Sequence, residues 1–256
     1  MKVVVSQEYI QLKDYISHIP DSFAEGQGVV IDARRNIIRV LDTQWGEWIV
    51  KAYKKPLLFQ RFAYTFFRRT KACRAFEYSI RLRKMGLDCP EPIAYMERKE
   101  RHLFSYGYFI YLKCNDQFVY SQLVDNVDFD RNLADSVAGY LAEIHAKGVM
   151  HGDLNLTNIL YRPEGDHYHF TIIDVNRCKF KGKLTKDDCY KDLRRVTHRR
   201  DLYDYIIAKY ARLRGWSAGK AVDKAEKILE RFEAKESVKG AWKEMKKKNR
   251  QLDACQ

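Results

Sequence analysis

Along the first half of the chain, β-branched and aromatic residues come in short runs broken by polar turns. The runs cover residues 28–31, 37–41 and 47–53, and the breaks cover 32–36 and 43–46. This pattern predicts an antiparallel meander of three strands. From Leu58 the period changes. Apolar side chains recur at Leu58, Phe59, Phe62, Phe66 and Phe67, while Arg61, Thr65 and Arg68 share another face, which predicts an amphipathic helix. A second helix is predicted over 69–85. It stops at Gly86, with Pro90 and Pro92 just beyond. Two further strands are expected at 93–96 and 107–112.

The second half reads differently. A long helix is predicted over 130–147, with Leu133, Val137, Leu141 and Ile144 as its apolar stripe and Gly148 suited to the left-handed position after its end. A hairpin follows, with strands at 158–161 and 169–173 around a turn at 163–166. The remainder from Leu193 is helical and basic, ending in Lys246-Lys247-Lys248-Asn249-Arg250. A small sheet with a helix, a short hinge and a helical half make a two-lobed α+β architecture. The expected division is an N-lobe at 1–114 and a C-lobe at 115–256, with a ligand cleft at the hinge.

Composition narrows the class. With 256 residues and 46% apolar content, the chain can bury a real core. No apolar run reaches the roughly 18–20 residues of a membrane-spanning helix. The apolar part of the N-terminus is too short for a secretory signal, so a cytoplasmic protein is expected. The six cysteines (73, 89, 114, 178, 189 and 255) show no paired spacing and read as free thiols rather than zinc ligands or disulfides. The net charge of +13 predicts attraction to a polyanion. Between Lys51 and Lys84, eleven basic residues face the single acid Glu77, so the charge is concentrated on one segment.

The strongest chemical signal is His151-Gly152-Asp153 followed by Asn158, with Asp174 after the next hairpin. Phosphoryl transfer asks a protein to position a hydroxyl, hold metal ions and neutralise phosphate charge. Asp153 suits the base that takes the hydroxyl proton. Asn158, five residues on, and Asp174, at the end of an apolar strand, suit the two oxygen donors of Mg2+. Any one of them alone reads equally well as a turn residue; the ordered set does not. Upstream, Lys51 sits on the third strand of the meander, where a lysine can bind the α- and β-phosphates. Glu77 falls mid-helix and is expected to pair with it. The plainer readings are a solvated edge lysine and a surface pair of Glu77 with Arg74 or Arg81.

These residues resemble the protein-kinase-like fold over roughly residues 28–210. Within it the chain is similar to the lipopolysaccharide core-sugar kinases, the Kdo/WaaP family. The segments that carry the resemblance include Arg35-Asn36, Lys54-Lys55-Pro56, Phe67-Arg68-Arg69-Thr70-Lys71-Ala72, Pro90-Glu91-Pro92, His151-Gly152-Asp153-Leu154-Asn155 and Ile173-Asp174-Val175-Asn176-Arg177. The resemblance implies ATP-dependent phosphorylation of a sugar hydroxyl on a Kdo or heptose residue of the lipid A–core glycolipid. It implies Asp153 as base, Asn158 and Asp174 as metal ligands, and Lys51 with Glu77 as phosphate anchor. Leu160 and Ile173, on the strands flanking the hairpin, are assigned to the nucleotide site with them.

Departures from protein kinases bear on the acceptor. The first turn, Asp32-Ala33-Arg34-Arg35-Asn36, lacks the glycine-rich phosphate loop, so Arg34, Arg35 or Asn36 either contacts phosphate by side chain or is plain turn chemistry. His-Gly-Asp replaces His-Arg-Asp, Val-Asn follows Asp174, and no Ala-Pro-Glu follows. These features favour a small anionic acceptor over a protein. An atypical protein serine/threonine kinase and a pseudokinase scaffold are the rival readings. The basic and aromatic residues of 54–84 suit an anionic membrane or a phosphorylated glycolipid, with the aromatics packing between lobes as the plainer account. No nucleic-acid motif is present. A peripheral protein on the inner face of the cytoplasmic membrane is expected.

Overall fold

The computed structural model describes residues 1–253, with Trp242 the one side chain described beyond Gly240. The basic run Lys246 to Arg250 and Cys255, singled out above, lie outside the described side chains. In chain order the strands are β1 (Lys2–Val5), β2 (Val29–Asp32), β3 (Ile37–Thr43), β4 (Gly46–Tyr53), β5 (Pro92–Glu100), β6 (Leu103–Leu112), β7 (Gln117–Phe118), β8 (Val149–Met150), β9 (Ile159–Glu164), β10 (His167–Ile172) and β11 (Lys179–Phe180). The helices are α1 (Lys13–Ala24), α2 (Leu58–Phe66), α3 (Lys71–Lys84), α4 (Val119–Leu123), α5 (Arg131–Ala146), α6 (Lys186–Leu193), α7 (Arg200–Leu213) and α8 (Ala218–Asp253). They form two compact units, one of residues 1–118 with 158–178, the other of 119–157 with 179 onward.

In the first unit, six antiparallel strands run in the order β1-β5-β6-β4-β3-β2. The predicted meander is β2-β3-β4. Side chains alternate between the two faces of a strand, so β4 sends Trp48 and Val50 one way and Lys51 and Tyr53 by turns toward the other. Helix α1 covers the first face: Ile16, Ile19 and Phe23 pack with Trp48, Val50, Ile93, Met96 and Ile110. Helix α3 covers the second, through Ala72, Ala75 and Phe76 against Tyr53, Tyr95 and Phe109. The predicted helix over 69–85 begins at Lys71 because Thr70 caps it, accepting from Cys73 N at 3.1 Å. The segment β1–α1 was not anticipated, and it makes the sheet two-sided.

The hairpin β9–β10 also belongs to this unit, in a three-stranded sheet β10-β9-β7. It is longer than expected. Pro163 pairs with Tyr168 inside the ladder, and the turn lies at Gly165-Asp166 rather than over 163–166. In the second unit, α5 starts after Asp130, whose carboxylate accepts from Asn132 N and Leu133 N at 2.8 and 3.1 Å. Its end at Gly148 (φ +73°) is tight: a Cβ there would meet the Lys181 carbonyl oxygen at 1.8 Å. That approach lets β8 pair with β11 just before the His151 loop. The five described cysteines are free.

Candidate active site

Lys51 is almost fully buried, opposite Ile38 of β3 and Phe109 of β6. Its ammonium donates to Asp174 Oδ1 at 2.7 Å. The expected partner, Glu77, is elsewhere: it accepts from Arg69 Nη1 at 2.5 Å on the surface. Helical geometry explains the correction. The face of α3 against the sheet carries Ala72, Ala75, Phe76 and Ser79. Glu77 lies about 200° round the helix from Ala75 and points away. From α3, Ala75 and Ser79 rather than an acid line the small cavity beside Lys51, joined by Tyr111, Ile173 and Asp174. That cavity has room for about one water, at ≈ 20 Å³.

Asp174 follows β10 and adopts a left-handed backbone (φ 57°, ψ 43°). For a non-glycine residue this is strained, and such strain concentrates at functional positions. Its Oδ1 also accepts from Asn176 Nδ2 at 2.6 Å. Asn158 stands at the same end of the hairpin, immediately before β9, and its carbonyl accepts from Ile173 N at 3.0 Å. The open end of one hairpin therefore presents an amide and a carboxylate. Both offer hard oxygen donors, as Mg2+ requires. Among the described residues no group of three or more His, Cys, Asp or Glu side chains is placed to hold a metal ion. Lys71, Arg74 and Arg177 add positive charge around Asp174. Partial burial, then the charges of Arg177 and Arg74, hold the Lys71 ammonium below the ordinary lysine range.

Leu160 is buried on β9, paired with Phe118 and Thr171, and Ile173 lines the Lys51 cavity. Arg35 and Asn36 occupy the β2–β3 turn, three and two residues from the Ile38–Lys51 pair. The turn is held by Asp32, whose Oδ1 accepts from both Arg34 N and Arg34 Nε at 3.0 Å. Arg34 is thereby engaged, and Arg35 stands exposed at the tip.

In the second unit, Asp153 lies on a loop clamped from behind. Asp192 of α6 is buried and accepts from His151 N (Oδ2) and Gly152 N (Oδ1), both at 2.7 Å. Leu156 N donates to Val196 O at 3.1 Å, which pins the loop further on. Asp192 in turn faces His145 Nε2 at 3.4 Å, and His145 Nδ1 lies 2.8 Å from the Tyr210 hydroxyl. Burial pushes the Asp192 carboxyl up, but the hydrogen bond and charge of His145, then the charge of His151 and the Gly152 amide, override it and leave it below the ordinary range. The His145 ring moves the opposite way for the same reason: burial lowers it, and Asp192 and Cys189 raise it further than burial lowers it.

Arg195 Nη1 donates to Asp153 Oδ1 at 3.1 Å, and its guanidinium sits 4.5 Å from the Phe232 ring of α8. Neither Asp192 nor Arg195 was singled out from the sequence. Asp192 lies just before, and Arg195 within, the remainder that reads as helical and basic, and only burial distinguishes Asp192.

The profile of the lipopolysaccharide kinase (Kdo/WaaP) family matches residues 32–215 of the chain. No curated protein sequence matches it. Among solved structures, WaaP in complex with acyl carrier protein is similar at 19% identity and a TM-score of 0.56, covering 90% of this chain and 99% of that one. The amicoumacin kinase hAmiN, in complex with AMP-PNP, Ca2+ and Ami, is similar at 10% identity and a TM-score of 0.53, covering 84% and 80%. At such identities the likeness concerns the fold, which is α+β and protein-kinase-like.

Proposed function

The chain belongs to the lipopolysaccharide kinase (Kdo/WaaP) family, and from that premise we propose that it transfers the γ-phosphate of ATP, with Mg2+, to a Kdo or heptose hydroxyl of the lipid A–core glycolipid. It is a kinase, a phosphotransferase acting on a sugar hydroxyl, in lipopolysaccharide biosynthesis. The observation that carries the finer reading is the contact of Lys51 with Asp174, 123 positions apart in sequence, at the hairpin end that also presents Asn158.

In this reading Asp153 accepts the proton of the attacking hydroxyl. Asp192 holds the loop that carries it, through two backbone amides. Arg195 supplies a cation beside the Asp153 carboxylate. Lys51 exchanges Asp174 for nucleotide phosphate, which frees the Asp174 carboxylate for the metal, with Asn158 as second donor. Mg2+, when bound, neutralises the charge of the phosphates. Leu160 and Ile173 offer apolar surface to the nucleotide. Arg35 and Asn36 reach the phosphates by side chain in place of a glycine loop. Glu77 has no part in anchoring Lys51. The related fold of hAmiN was solved with AMP-PNP and Ca2+, which supports a nucleotide and a divalent cation here. We also assign the N-lobe to 1–114 and the C-lobe to 115–256, and place the protein on the inner, anionic face of the cytoplasmic membrane. No helix among the described residues is long and apolar enough to cross it.

The test is the Asp153→Ala variant with labelled ATP and either membrane extract or protein lysate. Turnover should fall about 10²–10⁴-fold with thermal stability retained. Label in the glycolipid fraction supports the reading. Unchanged turnover sinks the mechanism, and label in protein sinks the acceptor.

A further inference from the structure

Surface helices ordinarily turn their apolar stripe inward. Helix α2 does the reverse. Its polar residues face the protein: Arg61 Nε donates to Phe104 O at 2.7 Å, Arg61 Nη2 donates to Glu100 O at 3.1 Å, and Thr65 Oγ1 accepts from Phe104 N at 2.9 Å. Its apolar residues face out. Phe59 is 68% exposed, Phe62 51% and Phe66 60%, and Phe67, one residue past the end, 76%. Leu57 and Leu58 are exposed with them. The ring of Phe62 lies 4.8 Å from that of Phe66 and 5.9 Å from that of Phe67, so these three make one continuous patch. Single exposed apolar residues are ordinary, but a continuous patch rimmed by charge marks an interaction surface.

The rim identifies the occupant. No acidic residue occurs between Glu47 and Glu77, while Lys54, Lys55, Arg68, Arg69 and Lys71 flank the patch. Lys55 is paired with Glu100 and Arg69 with Glu77. Lys54, Arg68 and Lys71 form no ion pair among the described residues. A second copy of the chain on this face would bring like charges together. A bilayer with anionic headgroups would receive both parts, the rings at the acyl boundary and the cations at the phosphates.

We propose that α2 is a docking wedge that inserts Phe59, Phe62 and Phe66 into an anionic lipid surface, with Lys54 and Arg68 on the headgroup phosphates. This deepens the membrane part of the proposed function and rests on it. It gives the inverted face of α2 a purpose: the helix is fastened to the sheet by Arg61 and Thr65 so that its rings are free to enter lipid.

Co-sedimentation of the full chain with vesicles of phosphatidylcholine alone, or mixed equally with phosphatidylglycerol, tests it. The chain should bind the mixed vesicles, and salt should weaken the binding. The Phe59→Ser/Phe62→Ser/Phe66→Ser variant should bind them at least about 100-fold more weakly, since each buried ring is a large apolar transfer. Its unfolding temperature should not fall, because these rings support no core. Its phosphoryl transfer to a delipidated core saccharide should stay at the wild-type rate. Asp153→Ala should bind vesicles like the wild type, which separates failure of docking from failure of catalysis. Wild-type binding by the triple variant, equal binding to both vesicle types, or binding of an acidic protein in place of vesicles would each overturn the proposal.

Discussion

Replacing Asp192 by asparagine probes the link between a buried carboxylate and catalysis on the neighbouring loop. Asp192 accepts from two backbone amides at 2.7 Å, those of His151 and Gly152, and faces His145. Asparagine keeps one oxygen and turns an NH2 group toward the second amide. A buried donor then loses its acceptor, which costs about 1–3 kcal/mol. His145 also loses the negative partner that compensates its burial, and breaking a buried pair costs about 3–5 kcal/mol when one charge is stranded. Because His145 can deprotonate, no charge is left stranded and little of that second cost applies, so a total near 3 kcal/mol is expected. For a chain of this size each kcal/mol moves the midpoint by about 2–4 °C, so Tm should fall by roughly 6–12 °C. Gly152 immediately precedes Asp153, so the base is displaced as well, and a shift of about 1 Å costs about 100-fold in rate. Calorimetry of the full chain and initial rates measured well below the new midpoint separate the two effects. The reasoning fails if Tm stays within a degree of the wild type. It fails in its catalytic half if Tm falls while kcat is unchanged.

Four other outcomes are expected. Lys51→Met should lower kcat/KM for ATP by about 100-fold, as loss of a charged phosphate donor does. Glu77→Gln should change it less than about three-fold, since its exposed pair with Arg69 contributes only about 0–1 kcal/mol; a large loss in Glu77→Gln would restore it as the anchor of Lys51. The His145–Asp192 pair sets a stability window. His145 is raised from its ordinary 6.5, so its contribution is complete below that value and is lost as pH rises through the raised one. Asp192 is lowered from 3.8, so its contribution is present above that value and is lost as pH falls below it. Tm followed from pH 6 to 9 should therefore decline, and His145→Gln should flatten the decline; an identical slope in that variant would assign it elsewhere. Gly148→Ala should destabilise by several kcal/mol. It adds about 1–2 kcal/mol for a left-handed backbone to a collision with the Lys181 carbonyl. Urea unfolding measures this, and a cost under about 0.5 kcal/mol would show that the β8–β11 approach relaxes freely.

Much of the frame was legible in the chain. The 3.6-residue period of Leu133, Val137, Leu141 and Ile144 sufficed for α5, and short runs of β-branched and aromatic residues between polar turns sufficed for β2, β3 and β4. Helix α1 escaped because Pro20 lies inside it, and proline reads as a helix breaker. The Asp153, Asn158 and Asp174 spacing is local and needs no fold to be seen.

The sequence by itself therefore determined which residue types stand at which spacing, and which side chains share a face. It left open which face meets the protein. Helix α2 has one polar and one apolar face, and the usual expectation turns the apolar one inward; the backbone carbonyls of Glu100 and Phe104 reverse this by accepting from Arg61. Glu77 was spaced to reach Lys51, yet the ammonium meets Asp174 because the sheet face of α3 is built from Ala75 and Ser79. Asp192 and Arg195 acquire their roles only from what lies opposite them. Periodicity is a property of neighbours a few residues apart. The partner of a buried charge is decided by where distant segments come to rest.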